Sequence, residues 1–269
     1  MGSSYTVEVS MDLQLKGKVA LVTGAGSPTG FGHAIALSLA REGCKLVVND
    51  IDLDGADKTA MEVRSLGQKA LAAIADVGRG VQVNAMVERG LAEFGHIDIL
   101  VNNAGGPGRA GGPFVNTREE DWDSTIDLIL KGVLNCTRAV LPHMLERKSG
   151  KIINVSSGLG QSGGPGAAVY AACQAAVIGF TKSVAAEVAG QGINVNSVSP
   201  GLSTASFLRG PDGKIPNPAQ IESVRATIPR GHFTEPGDVA PMVTYLASAL
   251  ASDVVGQVFA VDGGRFMNG

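Results

Sequence analysis

Tyr170 stands in the apolar stretch VYAACQAAV, residues 169–177, with Gln174 four positions on and so one turn along the same helix face. A phenol placed there can give or take a proton, but its ordinary pKa is near ~10. A tyrosine that works near neutral pH usually has a cation beside it, and here the neighbour is an amide. A second constellation binds rather than reacts. In TGAGSPTGFGHAIA, Gly24, Gly26, Gly30 and Gly32 follow a predicted strand and lead into a predicted helix, so backbone amides at the helix N-terminus can face a pyrophosphate. Asp50 closes the next strand about twenty residues past the last glycine, where a carboxylate accepts from a ribose diol. It would repel a 2′-phosphate, and no Arg or Lys immediately follows in DIDLDG, so NAD is expected over NADP.

The elements that must hold these residues follow from periodicity. The β-branched runs KVALVTG, KLVVND, ALAAIAD, IDILVNNAG, KIINVSS, INVNSVSP and QVFAVDGG alternate with helical patterns such as GHAIALSLAREG and VQVNAMVERGLAEFG. That rhythm predicts seven buried parallel strands with helices on both faces, an α/β doubly wound sheet of Rossmann type. We expect an N-terminal arm over residues 1–13 and one dinucleotide-binding and catalytic domain over 14–269. The Gly- and Pro-rich segment STASFLRGPDGKIPNPAQ follows a strand end and reads as a flap over the substrate, about residues 202–225.

Composition narrows the function. With 44% apolar residues and a net charge of −3, the chain offers no broad electrostatic surface for nucleic acid or anionic membrane. No run of about 18 apolar residues marks a bilayer span, and MGSSYTVEVS has neither the basic start nor the apolar stretch of a secretion signal. Cys44, Cys136 and Cys173 lie far apart in apolar segments and are expected as buried thiols in a reducing cytosol; no metal site is expected.

With these motifs in order, the chain resembles the short-chain dehydrogenase/reductase family from Lys16 to Gly264. The resemblance rests on Thr23 and Gly24, Asp76 after the third strand, the NNAG stretch Asn102 to Gly105, Ser156 and Ser157, Tyr170, the pair Pro200 and Gly201, and DGG at Asp262 to Gly264. It implies that Ser157, thirteen residues before Tyr170, polarises a carbonyl oxygen while Tyr170 exchanges the proton, with Gln174 completing the catalytic group. The implied cofactor contacts are Gly24, Gly26, Ser27, Gly30, Phe31, Gly32, Asp50, Ile51, Asp76, Val77, Asn103, Ala104, Gly105, Tyr170, Gln174, Pro200, Gly201 and Thr204. Asp76 would meet the adenine, and the segment after Pro200 the nicotinamide end. Assembly as a homodimer or homotetramer through long helices is implied as well.

Three positions depart from the family pattern. Ser27, Pro28 and Thr29 lengthen the glycine turn by two residues, as in bacterial enoyl-reductase relatives, and read as a surface insertion. IDLILKGV places Ile129 where the family carries an asparagine that holds a relay water, and Lys131 reads as a solvated neighbour. Gln174 stands where the family's lysine would hold the nicotinamide ribose and lower the tyrosine's pKa. The amide can still bond ribose hydroxyls, but with a phenol pKa left near ~10 only about one Tyr170 in a thousand would be ionised at pH 7. Lys182 is two turns on from Gln174, too far to substitute, and His96 and His143 read as structural.

The expectation is an NAD(H)-dependent oxidoreductase interconverting a secondary alcohol and a ketone. A dinucleotide-binding protein without turnover and a non-redox lyase or dehydratase are the alternatives, and the intact glycine loop with Asp50 weighs against the lyase. Phe114, Phe207 and Leu208 suggest an apolar or alicyclic substrate, whereas Arg109, a loop arginine, could hold a carboxylate.

Overall fold

The computed structural model describes residues 12–106, 108, 110–204 and 217–267. The first eleven residues of the expected arm, Arg109, and Phe207 and Leu208 of the expected flap lie outside that range.

Seven strands form one sheet: β1 (Val19–Val22), β2 (Lys45–Asp50), β3 (Ala70–Ile74), β4 (Ile99–Asn102), β5 (Gly150–Val155), β6 (Ile193–Pro200) and β7 (Val258–Val261). Their order is β3-β2-β1-β4-β5-β6-β7 and every pairing is parallel. Each of the seven runs read from the sequence supplies one of these strands. The order reverses at β1 and β4, which opens a crevice at the strands' carboxyl ends.

β1 shows why these runs lack alternating polarity. Ala20 and Val22 face one apolar layer, built with Ile35 and Leu39 of α1 (Phe31–Arg41) and Val243 of α9 (Pro236–Ala247). Val19 and Leu21 face the other, with Met86 of α3 (Gly80–Phe94), Val140 of α5 (Gly132–Arg147) and Val184 of α7 (Ala168–Val188). A strand covered on both sides must be apolar throughout. The smaller helices are α2 (Leu53–Ser65), α4 (Glu119–Ile126), α6 (Leu159–Ser162) and α8 (Pro218–Arg225). Asn217 caps α8 within the expected flap.

The segment Ala168–Gln191 differs from the expectation that no stretch could span a membrane. It is long and apolar enough by hydropathy, and 39% of its most apolar window is buried. Its burial against β6 and its cargo of Tyr170 and Gln174 make it a core helix with one uncovered apolar flank.

Candidate active site

The glycine loop after β1 is set by close contacts that tolerate no side chains. Gly24 has φ +64, and a Cβ on it would fall 2.7 Å from Cα of Ala104. Thr23 Oγ1 accepts from the backbone N–H groups of Asn103 and Ala104, both at 3.0 Å, tying the loop to the end of β4. The Asn103 amide donates to the carbonyls of Thr23 and Gly24 at 2.8 and 3.0 Å, so this side chain shapes the cradle itself. A Cβ on Gly32 would lie 2.4 Å from that amide. Gly30 N–H closes a turn on Ser27 C=O, while Pro28 and Thr29 are exposed, as expected of a surface insertion. Phe31 opens α1, whose N-terminus carries no side-chain cap, leaving its amides for an anion.

Asp50 Oδ2 accepts from Gly26 N–H at 2.8 Å and Oδ1 from Asp52 N–H at 3.1 Å. The carboxylate is thus fixed beside the loop with lone pairs left for ribose hydroxyls. A Cβ on Gly26 would sit 2.9 Å from it. Ile51 is 71% exposed next to it, and Asp76, whose Oδ1 accepts from Gly78 N–H, keeps its other oxygen toward solvent near Arg79. Val77 is buried and its carbonyl accepts from Asn135. Gly105 follows Ala104 at the same strand end. Across the crevice, Gly201 N–H bonds Val261 C=O after Pro200, and the Thr204 hydroxyl donates to Glu235 at 2.9 Å. The Thr204 hydroxyl hydrogen is thereby given to a carboxylate, a contact no local pattern foretold, while its oxygen lone pairs stay open. These contacts leave a glycine-built cradle with an anchored acid at its edge, which fits a dinucleotide.

The reacting half comes from β5 and α7. Ser157 lies two residues past β5, and its Oγ accepts from Leu159 N–H at 3.3 Å. Tyr170 is in the first turn of α7. Burial pushes its phenol above the ordinary value, against hydrogen bonding from Ser157 and Gln174 that acts downward. The expectation of an unshifted phenol is therefore corrected: enclosure by the protein keeps Tyr170 more firmly protonated than an exposed tyrosine. Gln174 is 4% exposed, and its Oε1 has no hydrogen-bond partner among the described residues. A buried orphan acceptor one turn from Tyr170 suits a ribose hydroxyl. α6 holds this helix close, because a Cβ on Gly160 would meet the Gln174 backbone at 2.7 Å.

Ile129 lies in a π-helical turn, Asp127–Lys131, and is buried with Val133, Cys173 and Val177, with Tyr170 packed at the cluster's edge. This cluster is apolar where a relay water would need partners. Lys131 pairs with Asp127, and Lys182 is exposed. The three thiols are buried and free, and burial raises Cys44 and Cys136 to about 12. His96 pairs with Asp98 at 3.2 Å. No group of three or more His, Cys, Asp or Glu side chains is placed to hold a metal among the described residues.

Sequence reasoning missed two features. Phe114 stacks on Trp122 at 5.5 Å and helps wall an apolar groove of about 390 Å³ with Ile126, Val169, Cys173 and Ala176, on a flank of α7 other than that of Gln174. The second is the C-terminal turn: the Phe266 ring lies against Gly158, where a Cβ would fall 2.0 Å from Cδ2. Neither contact has a periodic signal.

Residues 24–265 match the family model described as enoyl-(acyl carrier protein) reductase. The chain is 42% identical over 252 residues to 3-oxoacyl-[acyl-carrier-protein] reductase FabG of Thermotoga maritima, covering 94% of this chain and 99% of that protein. It is 39% identical to FabG of Staphylococcus epidermidis, covering 93% and 99%. Among solved structures, a single-substitution variant of the actinorhodin polyketide ketoreductase with NADPH superposes with a TM-score of 0.87 at 35% identity, covering 93% of this chain and 98% of that one. Sequence, cradle and sheet order agree: the chain belongs to the short-chain dehydrogenase/reductase family of oxidoreductases, which use a nicotinamide dinucleotide.

Proposed function

We propose that the chain interconverts a ketone and a secondary alcohol with NAD(H), working most readily toward the alcohol. The observation that carries this is the juxtaposition of Ser157 and Gln174 with a partly buried Tyr170, its phenol held above the ordinary pKa by burial, beside an intact dinucleotide cradle. When bound, the dinucleotide supplies or accepts the hydride. Ser157 donates to the substrate's carbonyl oxygen, and Tyr170 delivers its phenolic proton to that oxygen as negative charge develops there. Gln174 Oε1 accepts from a nicotinamide ribose hydroxyl. With Ile129 in an apolar cluster, Tyr170 must recover its proton directly from the cleft.

The preference for NAD rests on Asp50, which Gly26 and Asp52 hold beside the glycine loop, where it would accept from the hydroxyls of an adenosine ribose. The FabG relatives are named 3-oxoacyl-[acyl-carrier-protein] reductases, and the actinorhodin ketoreductase was solved with NADPH. This chain's carboxylate argues for the unphosphorylated dinucleotide. A ketone panel run with NADH and with NADPH tests both statements: NADH-dependent reduction is expected, and NADPH turnover above that with NADH would overturn the cofactor assignment. Tight NADH binding with no turnover on any ketone would favour a non-catalytic dinucleotide-binding role, to which the absent charge at Gln174 lends weight.

We further infer a homo-oligomer formed over the Phe114–Trp122 groove, since α7 leaves an apolar flank uncovered there. The buried thiols support a reducing, cytoplasmic setting. Light scattering reads the assembly, and a monomer at micromolar concentration would refute it.

A further inference from the structure

Ser157 stands on a turn that has little strength of its own. Its Oγ accepts from Leu159 N–H at 3.3 Å, a bond that bridges Gly158. The four-residue α6 that follows is too short to keep its geometry without packing. Two close contacts supply that packing. A Cβ on Gly160 would fall 2.7 Å from the carbonyl carbon of Gln174, so α7 bears directly on α6 there. The Phe266 ring bears on Gly158, where a Cβ would collide with Cδ2, Cε2 and Cγ of the ring. Gly158 has φ −54, a conformation open to any residue, so what it provides is room for the ring.

The ring is in turn fixed from the end of β7. Asp262 is buried; its Oδ1 accepts from Gly264 N–H and its Oδ2 from Phe266 N–H, both at 2.9 Å. Gly263 and Gly264, at φ +66 and +85, make the reversal that lets one carboxylate hold both groups. Arg230 N–H bonds Gly263 C=O at 3.1 Å, and the Arg265 guanidinium carbon lies 5.5 Å from the ring centroid. A Cβ on Gly201 would be 2.7 Å from Cα of Asp262, which wedges the turn against the chain leaving β6. A phenyl ring anchored this way on the residue after Ser157 sets where the Ser157 hydroxyl stands.

We propose that Phe266 is a positioning residue that presses the Ser157–Leu159 turn into place and so keeps the Ser157 hydroxyl in reach of Tyr170 and of the substrate's carbonyl oxygen. This rests on the ketone-reductase reading above. Removing the ring frees the turn, and a displacement of about 1 Å at a reacting group costs up to about a hundredfold in rate.

A double-mutant cycle with Phe266→Ala and Ser157→Ala tests this, assayed as NADH-dependent reduction of the best ketone. Phe266→Ala should lower kcat about ten- to a hundredfold while NADH affinity, read by fluorescence titration, stays within about threefold, and Phe266→Tyr, which keeps the ring, should restore most of the rate. In the Ser157→Ala background the same change should cost less than about threefold, because no hydroxyl is left to place. A kcat in Phe266→Ala within about threefold of the native chain overturns the proposal. So does an equal loss in both backgrounds, which marks a structural role alone. If Phe266→Ala does not fold, Phe266→Leu enters the cycle under the same criteria. If the native chain reduces no ketone, the reductase reading fails separately, and ultraviolet titration of Tyr170 decides Phe266. The Ser157 hydrogen bond lowers the Tyr170 pKa, so the phenol should ionise at higher pH in Phe266→Ala, and titrations that coincide with the native chain overturn the proposal.

Discussion

Replacing Gln174 by lysine should restore a charge that the site now lacks. Position 174 is one helical turn from Tyr170, about 5 Å between side-chain bases. An ammonium at that separation in an effective dielectric of about 20 stabilises a phenolate by about 3 kcal/mol, equal to about two pH units. Position 174 is 4% exposed, so desolvating the new cation offsets part of this gain. Alcohol oxidation needs phenolate and should respond most. In Gln174→Lys the alkaline limb of its pH profile should move down by about two pH units, raising the rate at neutral pH up to about a hundredfold. Ketone reduction draws on neutral Tyr170 and should change by less than about threefold at neutral pH. The assay is NAD reduction by the alcohol product of the best ketone, from neutral to alkaline pH, with ultraviolet titration of tyrosinate against Tyr170→Phe as a turnover-free check. Coincident pH profiles and titrations for the two proteins would refute the claim that the missing charge controls Tyr170.

Gly26→Ala would push a methyl group to 2.9 Å from the Asp50 carboxylate and displace it from the ribose site; NADH affinity, read by fluorescence titration, should drop at least tenfold. Asp98 is buried at the opposite end of the sheet. Burial opposes its ionisation, but hydrogen bonds from Arg147 and Val19, with the charges of His96 and Lys18, outweigh that and hold its pKa below the ordinary value. A depressed carboxyl contributes stability above its unfolded pKa and loses it as pH falls through the folded one. Asp98→Asn should cost about 2–3 kcal/mol at pH 7, less than a fully buried pair because its partners are partly solvated, and the deficit in urea unfolding should shrink below about pH 4.

The sheet was legible because strands covered on both faces carry their burial in composition: VALV of β1 can be nothing but interior. The dinucleotide cradle was legible for a related reason, since Gly24 and Gly26 are demanded by backbone approach, and Asp50 by its place at a strand end. The pKa of Tyr170 was not, because spacing along one helix does not reveal how far its ring packs against the cluster of Ile129, Val133, Cys173 and Val177. The contact of Phe266 with Gly158 joins residues distant in sequence through a turn capped by Asp262, and no local period encodes it. Thr204, expected as a cofactor contact from its place after Pro200 and Gly201, also donates its hydroxyl to Glu235 at the start of α9, a long-range bond that no local pattern encodes.

The central claim is hydride exchange at a carbon held by Ser157 and Tyr170. NADH deuterated at the transferring position, incubated with the native chain and the same ketone panel, tests it most directly by mass spectrometry of the products. The account predicts one deuterium on the carbinol carbon with the native chain and at least a hundredfold less labelled alcohol with Tyr170→Phe. Bound NADH that yields no labelled alcohol, or label incorporation undiminished in Tyr170→Phe, would contradict it.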